Sequence, residues 1–154
     1  MSQIIVRVYG LLIDEQKQVL VSDEYIRGNY YTKFPGGGLE FGEGLREGLV
    51  REFQEEMQLN IEVLDHLYTT DFFQRSAFNP AHQILSVYYR VKALEPIRVP
   101  LRETPFEFDS EQLDAYTKTL QTESFRFIQW DDFSSERVSL PIDKIVADLI
   151  KSRS

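Results

Sequence analysis

The chain has 154 residues, with 17 basic against 25 acidic side chains and a formal charge of −8. That length holds one domain with a single sizeable core, and that sign repels a nucleic-acid backbone, so a DNA or RNA polymer is not an expected partner. Apolar residues at 42% and charged residues at 27% exclude a disordered chain, and no apolar run approaches the roughly 18 residues of a transmembrane helix, so no membrane is expected.

Ile4 to Ile13 is apolar and β-branched and reads as a strand buried largely on both faces. Arg7 interrupts this stretch and no small-residue cleavage site follows it, so a secretory signal is not expected. Gln18 to Val21 reads as a second short strand, and Asp23 to Lys33, rich in Tyr and charge, as a loop. Phe34-Pro35-Gly36-Gly37-Gly38 is the sharpest break in the chain. From about Gly44 to Met57 a helix is predicted, with Leu45, Leu49, Phe53 and Met57 each four apart. Ile61 to Leu67 and Gln83 to Val91 read as strands, the second alternating Leu85, Val87, Tyr89 and Val91 against Ser86, Tyr88 and Arg90.

Glu95 to Thr122 opens with Pro96, Pro100 and Pro105, which predicts an extended surface segment. It closes with a short helix capped by Asp109 or Ser110, presenting Leu113, Tyr116 and Leu120 on one face. Phe125 to Trp130 is the last expected strand. Pro141 opens a final helix whose Ile142, Ile145, Val146, Leu149 and Ile150 make an i, i+3, i+4, i+7, i+8 stripe. Strands and helices alternate without repeating as βαβ units, which predicts an α/β fold built on a mixed sheet with helices packed on it. No linker or repeat divides the sequence, so residues 1–154 are expected to form one domain.

The chemistry concentrates between Gly37 and Leu59. Glu52, Glu55 and Glu56 stand at i, i+3 and i+4, on one side of the predicted helix. Carboxylates so close repel one another unless a hard cation sits among them, and Mg²⁺ takes carboxylate oxygens, substrate phosphates and water. The chain has no cysteine and only His66 and His82, which excludes thiolate and histidine metal sites and leaves oxygen donors. The absence of cysteine also fits a cytoplasmic protein. Just upstream, three consecutive glycines let backbone approach a ligand closely.

Gly37, Glu43, Arg51, Glu52, Phe53, Glu55, Glu56 and Leu59 fall on the pattern G-x5-E-x7-R-E-U-x-E-E-x-G-U, with U a bulky apolar residue. The segment thus resembles the signature of the Nudix hydrolase family. The flanking Phe34-Pro35-Gly36-Gly37, Trp130 and the terminal helix agree with that resemblance. It implies an α/β/α sandwich around a mixed sheet, with a loop–helix–loop bearing the site. It further implies a pyrophosphohydrolase that uses Mg²⁺, with Mn²⁺ as a substitute, on a nucleoside diphosphate linked to another moiety. Carried over by position, Glu52, Glu55, Glu56 and the Gly37 carbonyl are the implied metal ligands. Arg51 and Glu43 support them, Arg51 by damping repulsion or orienting an acid. Glu52 and Glu123, seven residues before Trp130, are the candidates for the base. Tyr30, Tyr31, Phe72, Phe73 and Phe78 are candidates to stack on a base, and Arg27, Lys33 and Arg75 to hold phosphates. A homodimer is open to such a protein. The rival reading is a nucleotide sensor of the same fold without turnover, which the intact box carboxylates disfavour.

One position departs from the pattern, with Gln58 where the family has glycine. That glycine lets the chain leave the helix with positive φ, so the left-handed cap falls either to Gln58 or to Asn60.

Overall fold

The computed structural model describes residues 1–153, and Ser154, the last residue of the expected 1–154 domain, lies outside them. Among the described residues thirteen elements follow one another, eight of them strands and three α-helices, which is the expected α/β class. The strands form two four-stranded sheets, each mixed, where one mixed sheet was expected. Each sheet belongs to its own compact unit, and each unit draws on separated stretches of chain.

The first unit holds residues 1–12 and 35–98. Its sheet runs β4 (Gly36–Gly38), β1 (Gln3–Leu12), β6 (His82–Ala93), β5 (Ile61–Thr69). β1 and β6 are parallel, and β4 and β5 add antiparallel to their outer edges. Only the C-terminal half of β1 is buried, since Ile4 is 65% exposed while Val8, Leu11 and Leu12 are covered. Helix α1 (Leu45–Met57) buries Leu49, Phe53 and Met57 as its period of four requires. The Phe53 ring lies over Gly10 of β1, so close that a Cβ there would come within 2.7 Å of it.

The second unit holds residues 13–34 and 99–153. Its sheet runs β3 (Asn29–Lys33), β2 (Gln18–Ile26), β8 (Gln121–Gln129), β7 (Leu101–Arg102). The expected loop at Asp23–Lys33 is instead a hairpin: β2 continues to Ile26 and turns through Arg27 and Gly28, at φ 47° and 84°, into β3. Two successive positive φ values match the twist of a two-residue hairpin. The strand was hidden because Asp23 points inward, where Arg126 and the Thr32 hydroxyl satisfy it. β8 starts at Gln121 rather than Phe125, because Gln121–Ser124 pair with the extension of β2, Asp23–Ile26. It ends at Gln129, and Trp130 opens a 3₁₀ turn.

Helix α2 (Ser110–Thr119) is capped by Asp109, whose side chain accepts from the Gln112 N–H while the Gln112 side chain accepts from Asp109 N–H. Its expected apolar face is not a core face: Leu113 and Leu120 are 46% and 49% exposed, and Tyr116 stacks on Tyr25 at 3.8 Å. Helix α3 (Pro141–Ser152) buries Ile142, Val146 and Ile150, with Ala147 rather than Ile145 completing the stripe. Asp143, buried in that helix, accepts from the Phe34 N–H at 3.4 Å.

Candidate functional site: a carboxylate cluster around Arg51

Gly44 starts α1 in extended backbone, and its N–H donates to the Glu47 carboxylate at 3.0 Å. Glu47 is thereby engaged at the cap. The helix carries Arg51, Glu52 and Glu55 toward the end of β4 and the loop after it. Arg51 is the hub. Its Nε and Nη2 meet Glu43 at 2.9 and 2.6 Å, and its Nη1 meets Glu52 and Glu55 at 3.1 Å each. Its Nη2 also donates to the Gly38 carbonyl at 2.9 Å, and Glu40 approaches Nε at 3.0 Å. One guanidinium thus offsets four carboxylates.

The electrostatics follow from that geometry. Hydrogen bonds from Arg51, then from the Glu40 N–H, hold the Glu43 carboxyl down at about 2. Glu43 in turn raises the Arg51 guanidinium above its ordinary range. Exposure separates the acids: the Glu43 and Glu52 side chains keep 14% and 12% of their surface, Glu55 58%. Glu56 is half-buried on the same helix.

Two glycines make room for these carboxylates. A Cβ on Gly37 would stand 2.5 Å from the Glu52 carboxylate carbon, so Glu52 lies directly on the β4 backbone. A Cβ on Gly48 would meet Leu39 at 2.8 Å and the Glu43 carboxylate at 2.9 Å. Gly48 therefore clears the loop before the helix. At the far end Gln58 holds the left-handed cap at φ 50°, its N–H donating to Gln54 and Phe53 carbonyls. Asn60 has not taken that role and donates to Glu95 instead.

The structure brings Gly37, Glu43, Arg51, Glu52 and Glu55 together. Glu123 belongs to the second unit, where it lies within β8 and not in a loop. It stands opposite Glu24 of β2, and the buried Ser22 hydroxyl reaches both, at 3.0 Å from Glu123 and 3.3 Å from Glu24. The other Glu24 oxygen pairs with buried Lys33 at 3.2 Å. Among the stacking candidates, Tyr30 lies on Tyr25 at 4.4 Å; the phosphate candidate Arg27 stands exposed in the hairpin turn. Phe72 and Phe73 stay exposed. Sequence reasoning missed Glu40, whose only signal was its place three residues before Glu43, and Ser22, which nothing marked.

All the donors around Arg51 are hard oxygens, the kind a Mg²⁺ ion takes. As they stand, no three Asp, Glu or His side chains among the described residues are arranged to hold a metal ion. Glu52 and Glu55 are turned to the guanidinium. The donor chemistry fits a divalent cation, provided that these flexible side chains swing from Arg51.

The NUDIX domain family model matches residues 3–138. Among solved structures, the chain is similar to a NUDIX hydrolase from Nitrosomonas europaea, at 14% identity over 98% of this chain and 90% of that one, with a TM-score of 0.67. A MutT NUDIX hydrolase from Burkholderia pseudomallei gives 14% identity, coverage of 97% and 99%, and a TM-score of 0.65. An ADP-ribose pyrophosphatase from Streptococcus suis gives 17%, 97% and 92%, and 0.55. Likeness at such identity speaks for the fold. The family match spans most of the sequence, so the chain belongs to the NUDIX domain family.

Proposed function

We propose that this chain hydrolyses the diphosphate bridge of a nucleoside diphosphate linked to another moiety, in a Mg²⁺-dependent reaction that Mn²⁺ also supports. The observation that carries the reading is the Glu52 carboxylate lying on Gly37 while sharing Arg51 with Glu55. Glu52, Glu55, Glu56 and the Gly37 carbonyl would hold the cation. When bound, it neutralises phosphate oxygens and lowers the pKa of water.

Arg51 keeps the carboxylates in register, and Glu43 anchors Arg51 from the loop side. Water attacks one phosphorus, its bond to the bridging oxygen breaks, and two phosphomonoesters leave. Glu123 is our candidate to accept the proton released by the water, with Glu52 as the rival for that role. Tyr31, Phe72 and Phe78 remain candidates for base stacking and Lys33 for phosphate binding. We take residues 1–154 to work as one domain in the cytoplasm, where nucleotides are plentiful. The ADP-ribose pyrophosphatase of Streptococcus suis supports the substrate class, not a particular compound.

The test is a nucleotide-release screen across nucleoside diphosphate derivatives, with and without Mg²⁺. The reading expects turnover that EDTA abolishes. Turnover surviving EDTA contradicts the metal assignment, and tight nucleotide binding without turnover makes the chain a sensor.

A further inference from the structure

The first unit carries a cavity of about 250 Å³ outside the carboxylate cluster, lined by residues including Gln3, Ile4, Phe73, Arg75, His82 and Gln83. Gln3 lies five residues up β1 from Val8, the partner of Gly37 in the sheet, which puts it about 17 Å from the box along the strand. The wall is well braced. Arg75 bridges to Gln83, the Ser76 N–H donates to the His82 carbonyl at 2.9 Å, and Ile84 N–H to the Gln74 carbonyl at 2.8 Å. On the β1 side the Gln3 N–H donates to the Ala81 carbonyl at 3.1 Å.

In a chain of net charge −8, this lining stands out: its ionisable side chains are Arg75 and His82, with no carboxylate among them. The guanidinium is pre-oriented, resting over the Phe73 ring at 5.4 Å and donating one Nη1 hydrogen to the Pro80 carbonyl. That single bond leaves donors of its planar fork for a ligand. His82, 3.3 Å from the Asn79 amide, adds a further ring nitrogen. A fork plus a separate donor suits an oxyanion with three oxygens better than a two-oxygen carboxylate. The Ile4 and Phe73 side chains give the rest of a ligand an apolar wall. The volume falls just below the roughly 300–1,000 Å³ of pockets for drug-sized ligands, so it takes one small group and not a whole dinucleotide.

We propose that this cavity is a phosphomonoester-binding site, separate from the carboxylate cluster, in which Arg75 and His82 hold the phosphate. Its ligand class includes the products of pyrophosphate cleavage, but binding here does not depend on turnover.

The experiment is an NMR titration of the full chain in Mg²⁺-free buffer with inorganic phosphate, a nucleoside 5′-monophosphate and the parent nucleoside. Saturable shifts at Ser2–Ile4 and 73–83 are expected with the nucleotide, and a weakening of about tenfold or more in Arg75→Gln, since a charge-assisted bond is lost. Glu56→Gln should bind as the unaltered chain does. Inorganic phosphate binding as tightly as the nucleotide supports the proposal and names phosphate itself as the recognised group. Nucleoside binding as tightly as nucleotide overturns it. So does the absence of shifts in these residues up to about 10 mM, or a loss of binding in Glu56→Gln with none in Arg75→Gln. Failure of the nucleotide-release screen would leave these outcomes unchanged, so the two readings fail separately.

Discussion

The Glu52 carboxylate occupies the space that a side chain on Gly37 would need, 2.5 Å from where its Cβ would stand. The β4 glycine and this α1 acid are therefore one feature, seen from two places in the sequence. Gly37→Ala should fold, because the obstructing atoms are the far end of a flexible side chain. Its thermal midpoint should match a stability change within about 1 kcal/mol. Turnover should fall about a hundredfold, the cost of a displacement near 1 Å at a reacting centre. Steady-state kinetics beside thermal unfolding separate the two effects.

Glu43 makes stability depend on acid. Its carboxyl titrates at about 2 when folded against an ordinary 4.5, chiefly through its hydrogen bonds with Arg51. A depressed pKa contributes stability that is complete above about pH 4.5 and lost as pH falls toward 2. Glu43→Gln should be less stable at neutral pH and should lose less across that window. Urea midpoints from pH 2 to 7 would converge for the two proteins at the acid end.

The helix exit offers a gain. Gln58 holds φ 50°, where a side chain costs about 1 kcal/mol relative to glycine. Gln58→Gly should stabilise the fold by about that amount, less the bond from its amide to the Glu55 carbonyl at 3.2 Å. Turnover should stay within a few-fold. A rise in the denaturation midpoint without a change in kcat is the expected result.

For the base, Glu123→Gln should lower kcat and leave KM and Mg²⁺ affinity nearly unchanged, as the loss of a proton acceptor alone does. Glu52→Gln should damage metal binding and turnover together. Unchanged kcat of Glu123→Gln across about pH 6–9 would end that assignment and leave the role to Glu52.

What the sequence disclosed and what it hid differ for physical reasons. The box helix was readable because three signals coincide there: a glycine break, apolar residues four apart, and acids on one side. The final helix was readable from its stripe, apart from Ile145, which a helix of this width leaves at the border. The hairpin at Asp23–Lys33 was not, because its strand turns an acid inward. The charge of buried Asp23 is met by Arg126, 103 residues away, which pairs with it at 2.5 Å. A partner so distant leaves no local trace. The same holds for Ser22, whose contacts with Glu24 and Glu123 depend on strand register. Tyr116 read as one of three residues on a helix face, and its stack on Tyr25 is another pairing across the chain.

The most direct test of the account is the kcat of Glu56→Gln at saturating Mg²⁺, measured on the best substrate from the screen. The substitution keeps size and helix propensity and removes one charge from the cluster. A fall of at least about a hundredfold, with stability held or slightly raised, is the predicted result. Near-normal turnover of the purified, folded variant would contradict it.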